Sequence, residues 1–468
     1  MMGKFILAKG IQEKTGCSIL SIKEKFDKEY NSLCDELHVD SFSLENNILW
    51  YEKVLAFLCA IYFFVFFQAG DRLLNVHLLG VHIGDLIYDH ILRVDGKRYS
   101  IDRMRFSDFQ FLYQAALWTI VYSRIIKKKN VKYYIAADIV YFNGIIVRIA
   151  QKNGAKIILF TANKKFDVVT NKKGMDFYPN YHSYSRDTVC SVFKKGLNER
   201  WLEEIDQRLV LLFQGVGDWN TLNAYADKKT VSKSEILRQL GICNNKKNIV
   251  ILAHCFSDSP HNSGRTLYKD YYEWLEETLK IVQNIHNVNW ILKPHPCRHV
   301  YGENGQVEIL YKKYKNEHLY WMPDEYSAAM IPVLADAVVT VSGTGGIEYS
   351  CFGIPSINTG NAFYAELGIG YKIKSIAQYK KTLMHMDKVH RLSEEKILEA
   401  KKVYYAYQRV IEINSDSLQA VDNRFYAKYL ENRRTCENNN QYIDTLLAWL
   451  KENKIQNSYA YQFGWKIS

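Results

Sequence analysis

Residues 339–357 read VTVSGTGGIEYSCFGIPSI. An apolar strand stops at Ser342-Gly343-Thr344-Gly345-Gly346, a helix opens on GGIEYSCFG (345–353), and PSINTG (355–360) gives another strand. Upstream, NWILKPHP (289–296) is a strand that ends in Lys293-Pro294-His295-Pro296. Proline on both sides of a histidine fixes the backbone and removes donors, so the strand stops there. NIVILAH (248–254) is a buried strand, and YKDYYEWLEETLKIVQNI (268–285) and VEILYKKYK (307–315) read as helices between strands. Strand alternating with helix marks a parallel sheet with helices packed on it.

The same rhythm occurs earlier. RFSDFQFLYQAALWTIVYSRIIKKK (105–129) is a long amphipathic helix ending in lysines, as the helix dipole prefers. VKYYIAAD (131–138) is a strand, YFNGIIVRIAQKNG (141–154) a helix closed by Gly154, and AKIILFT (155–161) a strand. The polar, lysine-rich stretch 225–247 separates the two runs. The expected fold class is α/β and GT-B-like, with two Rossmann-like domains facing across a cleft. The expected domains are residues 1–230, residues 231–435, and a C-terminal helix and tail over 436–468. No repeat at a fixed period is present.

The chain has 468 residues, enough for two or three domains at ~100–200 residues each. Its 48% hydrophobic and 24% charged residues are ordinary globular composition. Net charge is +11, which favours anionic partners. The basic residues are mostly lysines spread over helices, and no nucleic-acid motif accompanies them. Nucleic acid is therefore not an expected partner; the charge reads as a solvated surface that aids solubility, with peripheral contact with the inner leaflet of a membrane as the alternative. Nine cysteines form no CxxC pair and no zinc spacing, which suits reduced core residues in a cytoplasmic protein. No signal-peptide h-region followed by a cleavage site opens the sequence. The strongest apolar run, VLAFLCAIYFFVFF (54–67), has fourteen residues, below the ~20 needed to span a bilayer. It is expected to be a buried core segment, with membrane-interface contact as the alternative.

Candidate site residues cluster at strand ends, where open parallel sheets hold ligands. The Ser342–Gly346 turn offers small residues, hydroxyls and helix N–H groups to an anion, without the GK[ST] ending of a Walker loop. His295 ends a strand in the same half and has the chemistry to donate a hydrogen bond to a phosphate. Lys293 adds charge or points to solvent. Glu348 accepts from ribose hydroxyls or simply suits the helix start. For activating an acceptor hydroxyl the candidates are Asp85, Asp138 and His254. Asp85 follows Gly80 and Gly84 and reads equally as a helix N-cap. Asp138 ends a strand and reads equally as the cap of the next helix. His254 and Asp258, in AHCFSDSPH, face the same crevice and contact donor or acceptor. Asp89 is expected to pair with Arg93, and His261 to be a bystander.

The KPHP turn, the SGTGGIEYSCFGIPSI segment and NTGNAFYAELG (358–368) resemble bacterial capsule and surface polysaccharide biosynthesis proteins. Among these are GT-B transferases of CMP-activated sugars such as Kdo. ILAHCFSDSPHNSG (251–264) and HIGDLIYDHILR (82–93) resemble the same family. The likeness covers about residues 248–370, and in the first half mainly 80–93 and 131–160. It implies that His295, Ser342 and Thr344 meet the donor nucleotide's phosphates, while Gly343 and Gly345 are candidates through the anion-binding shape of the turn alone. The family's second hydroxyl directly after the serine is Gly343 here, with Thr344 one position on. The resemblance implies a glycosyltransferase of surface polysaccharide assembly with a nucleotide-sugar donor, a CMP-sugar first, and a glycan or lipid-linked acceptor. No DxD motif stands in a fitting position, so a metal-independent reaction with no cofactor is expected. A CDP-polyol phosphotransferase of the teichoic-acid type, a 2-epimerase-like enzyme, and a non-catalytic scaffold of capsule export are the alternatives.

Overall fold

The computed structural model describes residues 39–136, 138–160, 166–169, 200–217, 219–243, 245–303 and 305–407, with 15–23 and positions 8, 12, 34 and 35. The expected helix at 439–454 lies outside the described residues, as does the whole of 436–468.

In the first half, β1 (Leu20–Lys23) pairs in parallel with β2 (Asp40–Ser43). Helix α1 (Trp50–Phe66) and the short α2 (Gly70–Leu73) follow. A hairpin of β3 (His77–Leu78) and β4 (Val81–His82) turns through Leu79 and Gly80, both at positive φ. Next come α3 (Gly84–Asp95), α4 (Phe109–Lys129), β5 (Tyr133–Ala136), α5 (Asn143–Lys152), β6 (Lys156–Phe160) and β7 (Phe166–Val169). β5 and β6 are parallel, with Tyr133 opposite Lys156, as a strand–helix–strand unit requires. β7 is antiparallel to β6. Gly84 lets α3 approach α2, since a Cβ there would lie 2.1 Å from the Leu73 carbonyl oxygen.

The 54–67 run is not a core segment. It forms most of α1, and only one stripe of that helix, Glu52, Ala56, Ala60 and Phe63, is buried. That spacing is one face of a helix laid on α4. The other faces are apolar and exposed.

In the second half, α6 (Trp201–Phe213), α7 (Trp219–Tyr225) and α8 (Lys233–Leu240) lead to β8 (Asn248–Leu252). Ile205 and Leu209 pack with Tyr364 and Tyr404, and Tyr225 and Ile236 pack under the main sheet. Residues from 201 onward are thus part of the second half's cores. The remaining elements are α9 (Tyr271–Val282), β9 (Asn289–Lys293), α10 (Gln306–Tyr314), β10 (Leu319–Trp321), α11 (Ile331–Leu334), β11 (Ala337–Thr340), α12 (Gly345–Ser350), β12 (Ser356–Asn358), α13 (Phe363–Glu366), β13 (Tyr371–Lys372), α14 (Ile376–Met384) and α15 (Glu394–Tyr405).

The six strands run in the order β10-β9-β8-β11-β12-β13, all parallel. β9, β11 and β12 are buried at every residue, which is why they read as unbroken apolar runs rather than alternating ones. Counted in chain order, the sheet is 3-2-1-4-5-6, the Rossmann order, with its reversal between β8 and β11. The fold is α/β with two Rossmann-like halves.

The halves meet along α3 and the loop after β8. Asp89 accepts from His261 Nδ1 at 2.6 Å and from the His261 backbone N–H at 3.1 Å. Tyr88 donates to Asp270 at 2.5 Å, Ser100 donates to the same carboxylate at 2.6 Å, and Tyr141 donates to the Ser257 carbonyl at 3.1 Å.

Candidate functional site

The carboxyl ends of three neighbouring strands, β9, β8 and β11, deliver His295, His254 and Ser342 to one edge of the sheet. The reversal point lies between the last two. Crevices outside strand ends at such a point are where doubly wound sheets hold ligands.

His295 is set by its own turn. The Cys297 backbone N–H donates to Nδ1 at 3.2 Å, and the Cys255 sulfur lies 3.0 Å from the same nitrogen. Burial pushes the Cys255 thiol far up, so its proton stays on sulfur. Nδ1 is therefore the acceptor and Nε2 carries the hydrogen. Burial, helped by the Arg298 charge, pushes the ring's pKa down to about 4. His295 is a neutral donor at neutral pH, and its Nε2–H meets no hydrogen-bond partner among the described residues.

His254 is held differently. The Val341 N–H donates to Nε2 at 3.2 Å, and the Thr340 hydroxyl stands 2.9 Å from it. Burial, and then the neighbouring His295, push this ring down to about 3. It stacks on Tyr271 at 4.3 Å between centroids. With Nε2 committed to the strand end, His254 ties β8 to the turn after β11 rather than presenting an open base.

The turn itself is shaped by close packing. A Cβ on Gly346 would lie 2.0 Å from the hydroxyl oxygen of Tyr364, a fully buried ring whose hydroxyl donates to the Gly343 carbonyl at 2.7 Å. The Gly343 N–H reaches the Thr340 hydroxyl at 3.4 Å. Ser342 is within hydrogen-bonding reach of the Tyr271 hydroxyl. The Gly346 N–H bonds the Gly343 carbonyl, while the N–H groups of Thr344 and Gly345 and the Thr344 hydroxyl have no partner among the described residues. Glu348, on α12, accepts from the Tyr225 hydroxyl at 3.0 Å.

Lys293 does not face the crevice. It is buried, and its ammonium donates to the carbonyls of Tyr326 at 3.1 Å and Pro323 at 3.3 Å. Burial and the nearby Lys228 push its pKa down to about 8.

Asp85 is buried and makes two 2.6 Å bonds to the Arg148 guanidinium. Burial alone would raise this carboxyl, but the arginine's charge and hydrogen bonds carry it below the usual carboxylate range. Its side chain is an ion-pair partner inside the first half rather than an open carboxylate. Asp138 accepts from the backbone N–H groups of Ile139 at 2.7 Å and Val140 at 3.1 Å, an Asx-type turn; the next helix opens only at Asn143, so Asp138 does not cap it. Asp258 lies between the halves. Burial raises its carboxyl, the Tyr301 hydroxyl and Arg93 oppose that, and Asp89 and Asp138 add to it. Asp138 and Asp258 thus approach one another from opposite halves.

Asp89 pairs with His261 instead of Arg93, whose guanidinium lies 4.4 Å over the Tyr301 ring. His261 also places Nε2 2.8 Å from the Lys269 carbonyl, so both ring nitrogens donate and the ring is an imidazolium. Burial alone would lower its pKa, and the Asp89 carboxylate raises it above the ordinary value. Sequence reasoning missed this pin, because residues 172 positions apart share no local pattern. It also missed Glu303, which accepts the Ser257 N–H at 3.1 Å and is pushed up to about 8 by burial. Arg148 carried a usable signal, as the lone charge within the apolar helix NGIIVRIA. His286, Glu317 and His318 also come together, but at the amino ends of β9 and β10, away from this crevice.

No protein-family model matches the sequence, and no curated protein matches it. Solved structures match in fold only. A beta Kdo 2,4 transferase, KpsC of Thermosulfurimonas dismutans, aligns at 12% identity and TM-score 0.37, over 58% of this chain and 78% of that one. The UDP-GlcNAc 2-epimerase of Methanocaldococcus jannaschii aligns at 13% identity and TM-score 0.29, over 66% and 83%. The S. aureus MnaA–UDP co-structure aligns at 8% identity and TM-score 0.27, over 68% and 88%.

Proposed function

We propose that this chain is a glycosyltransferase of surface polysaccharide assembly that uses a nucleotide-activated sugar, a CMP-sugar first. The observation that carries the proposal is the Nε2–H of His295, without a partner among the described residues and a neutral donor beside the reversal point of the 3-2-1-4-5-6 sheet. We assign the nucleotide to the second half and the acceptor to the first. His295 Nε2–H, the Thr344 hydroxyl and the N–H groups of Thr344 and Gly345 donate to the phosphate oxygens. Such donors stabilise charge that develops as the nucleotide leaves. Asp258 takes the proton of the acceptor hydroxyl; burial raises its carboxyl above the ordinary carboxylate range, which makes it a stronger base. The acceptor oxygen then bonds the anomeric carbon, and the sugar–phosphate bond breaks with its electron pair going to the nucleotide. Asp138 supports the acceptor side. His254 keeps the turn in place.

The test is nucleotide release from CMP-, UDP- and GDP-activated sugars, with purified chain and a mixture of glycan acceptors. One donor class is expected to be consumed. His295→Ala should lower release by about 10²–10³, the scale for losing one such donor. Asp258→Asn should abolish release while retaining nucleotide binding. Release unaffected by both variants would overturn the assignment.

A further inference from the structure

We infer that α1 docks flat on the surface of an anionic lipid bilayer. Between Leu49 and Phe66, eleven large apolar side chains are exposed, among them Trp50 at 77%, Leu58 at 56% and Phe66 at 58%. Phe106, 83% exposed, lies against Phe64 and extends the same face. Soluble proteins scatter exposed apolar residues singly; a continuous helical face of them marks an interaction surface. The helix is anchored underneath. Arg124 grips Glu52 at 2.7 and 3.0 Å, and Ala56 and Ala60 let α1 sit close on α4. Glu52, the helix's one acid, is therefore turned inward, and the outward face carries no negative charge.

The charge around this face selects the occupant. Lys53 stands at one end together with Lys127, Lys128 and Lys129, which lie just beyond Arg124 on α4. Arg103, bonded to Gln68, and Arg105 stand at the other. Asp95 there is already paired with Arg105, and Asp102 with Lys269. The four lysines at the Lys53 end outnumber the acid there, Glu45, while Arg105 at the other end is balanced by Asp95; an aromatic-rich apolar face with this basic end fits acyl chains below and anionic headgroups beside it. A second copy is less suited, since Glu52 is turned inward and the outward face of α1 offers no acid to meet these lysines. The seventeen-residue helix is about 25 Å long at ~1.5 Å per residue, and no described helix is long and apolar enough to cross a membrane, so it lies in the interface. A lipid-held acceptor would be met on this surface, but the inference does not depend on the glycosyltransferase reading.

The test is co-sedimentation of the full chain with vesicles of phosphatidylcholine alone and of phosphatidylcholine with phosphatidylglycerol. The wild-type chain should pellet with the anionic vesicles. Leu58→Gln, Ile61→Gln and Val65→Gln together should reduce binding at least about tenfold, since apolar burial drives interfacial binding. Their exposure predicts an unchanged unfolding temperature. Lys127→Gln, Lys128→Gln and Lys129→Gln together should weaken binding to anionic vesicles alone, and added salt should mimic them. A folded chain that stays in the supernatant with both vesicles overturns the inference. A concentration-dependent dimer that the apolar triple variant dissolves assigns the face to a second copy instead, and overturns it equally.

Discussion

Replacing Asp89 by asparagine tests the pin between the halves. The variant keeps an acceptor for the His261 backbone N–H, 3.1 Å away in the native chain, but removes the carboxylate that holds the imidazolium. Removing one partner of a buried ion pair costs roughly 3–5 kcal/mol. A histidine sheds its proton more easily than an arginine, so the lower end applies, about 3 kcal/mol, or roughly a hundredfold in the folding constant. At ~2–4 °C per kcal/mol for a domain of this size, the melting midpoint should fall by roughly 6–12 °C. The loss depends on pH with a definite sign. His261 has a folded pKa above its ordinary value, so its contribution is complete below about 6.5 and disappears as pH rises through the folded value. The difference between wild type and Asp89→Asn should therefore be larger at pH 6.5 than at pH 9.5. The assay is thermal unfolding of both proteins at the two values, with His261→Gln completing a double-mutant cycle. A difference of the same size at both pH values, or one below about 0.5 kcal/mol, would refute a charged pin.

Two further variants probe the parts that hold the site. Gly346→Ala should cost roughly 1–3 kcal/mol by overpacking against the fully buried Tyr364, and pairing it with Tyr364→Phe should recover part of the loss in thermal melts by removing the nearest atom. Arg148→Met strands Asp85 and should cost roughly 3–5 kcal/mol at neutral pH. Asp85 has a lowered pKa in the folded chain, so the wild-type advantage over Arg148→Met should shrink as pH falls through the acid range, read in the same melts.

The second half was legible because its strands are buried on both faces and its turns carry their own signals. β8, β9 and β11 read as apolar runs, and the doubled proline at His295 and the glycines at 343–346 marked where they stop. The first half was less so. β7 runs antiparallel, and direction leaves no mark in a four-residue strand. The 54–67 run was read as core on composition, whereas burial is decided by the one stripe that meets α4. Among site residues, His295 and the Ser342–Gly346 turn are brought to one edge as the spacing implied. Lys293 turned to backbone carbonyls, and Asp85 to Arg148, because burial makes a charged side chain seek the nearest counter-group, wherever the chain places it. Asp89 shows the same rule across the halves, where no sequence window could have shown His261.

The most direct test of the account is titration calorimetry of the purified chain with CMP, CDP, UDP, GDP and UMP, alongside His295→Ala. One nucleotide class is expected to bind the wild-type chain, with affinity reduced at least about tenfold in the variant, the loss for a hydrogen bond to a charged phosphate. Absence of binding by every nucleotide, or equal binding by His295→Ala, would contradict the assignment of this crevice to a nucleotide's phosphates.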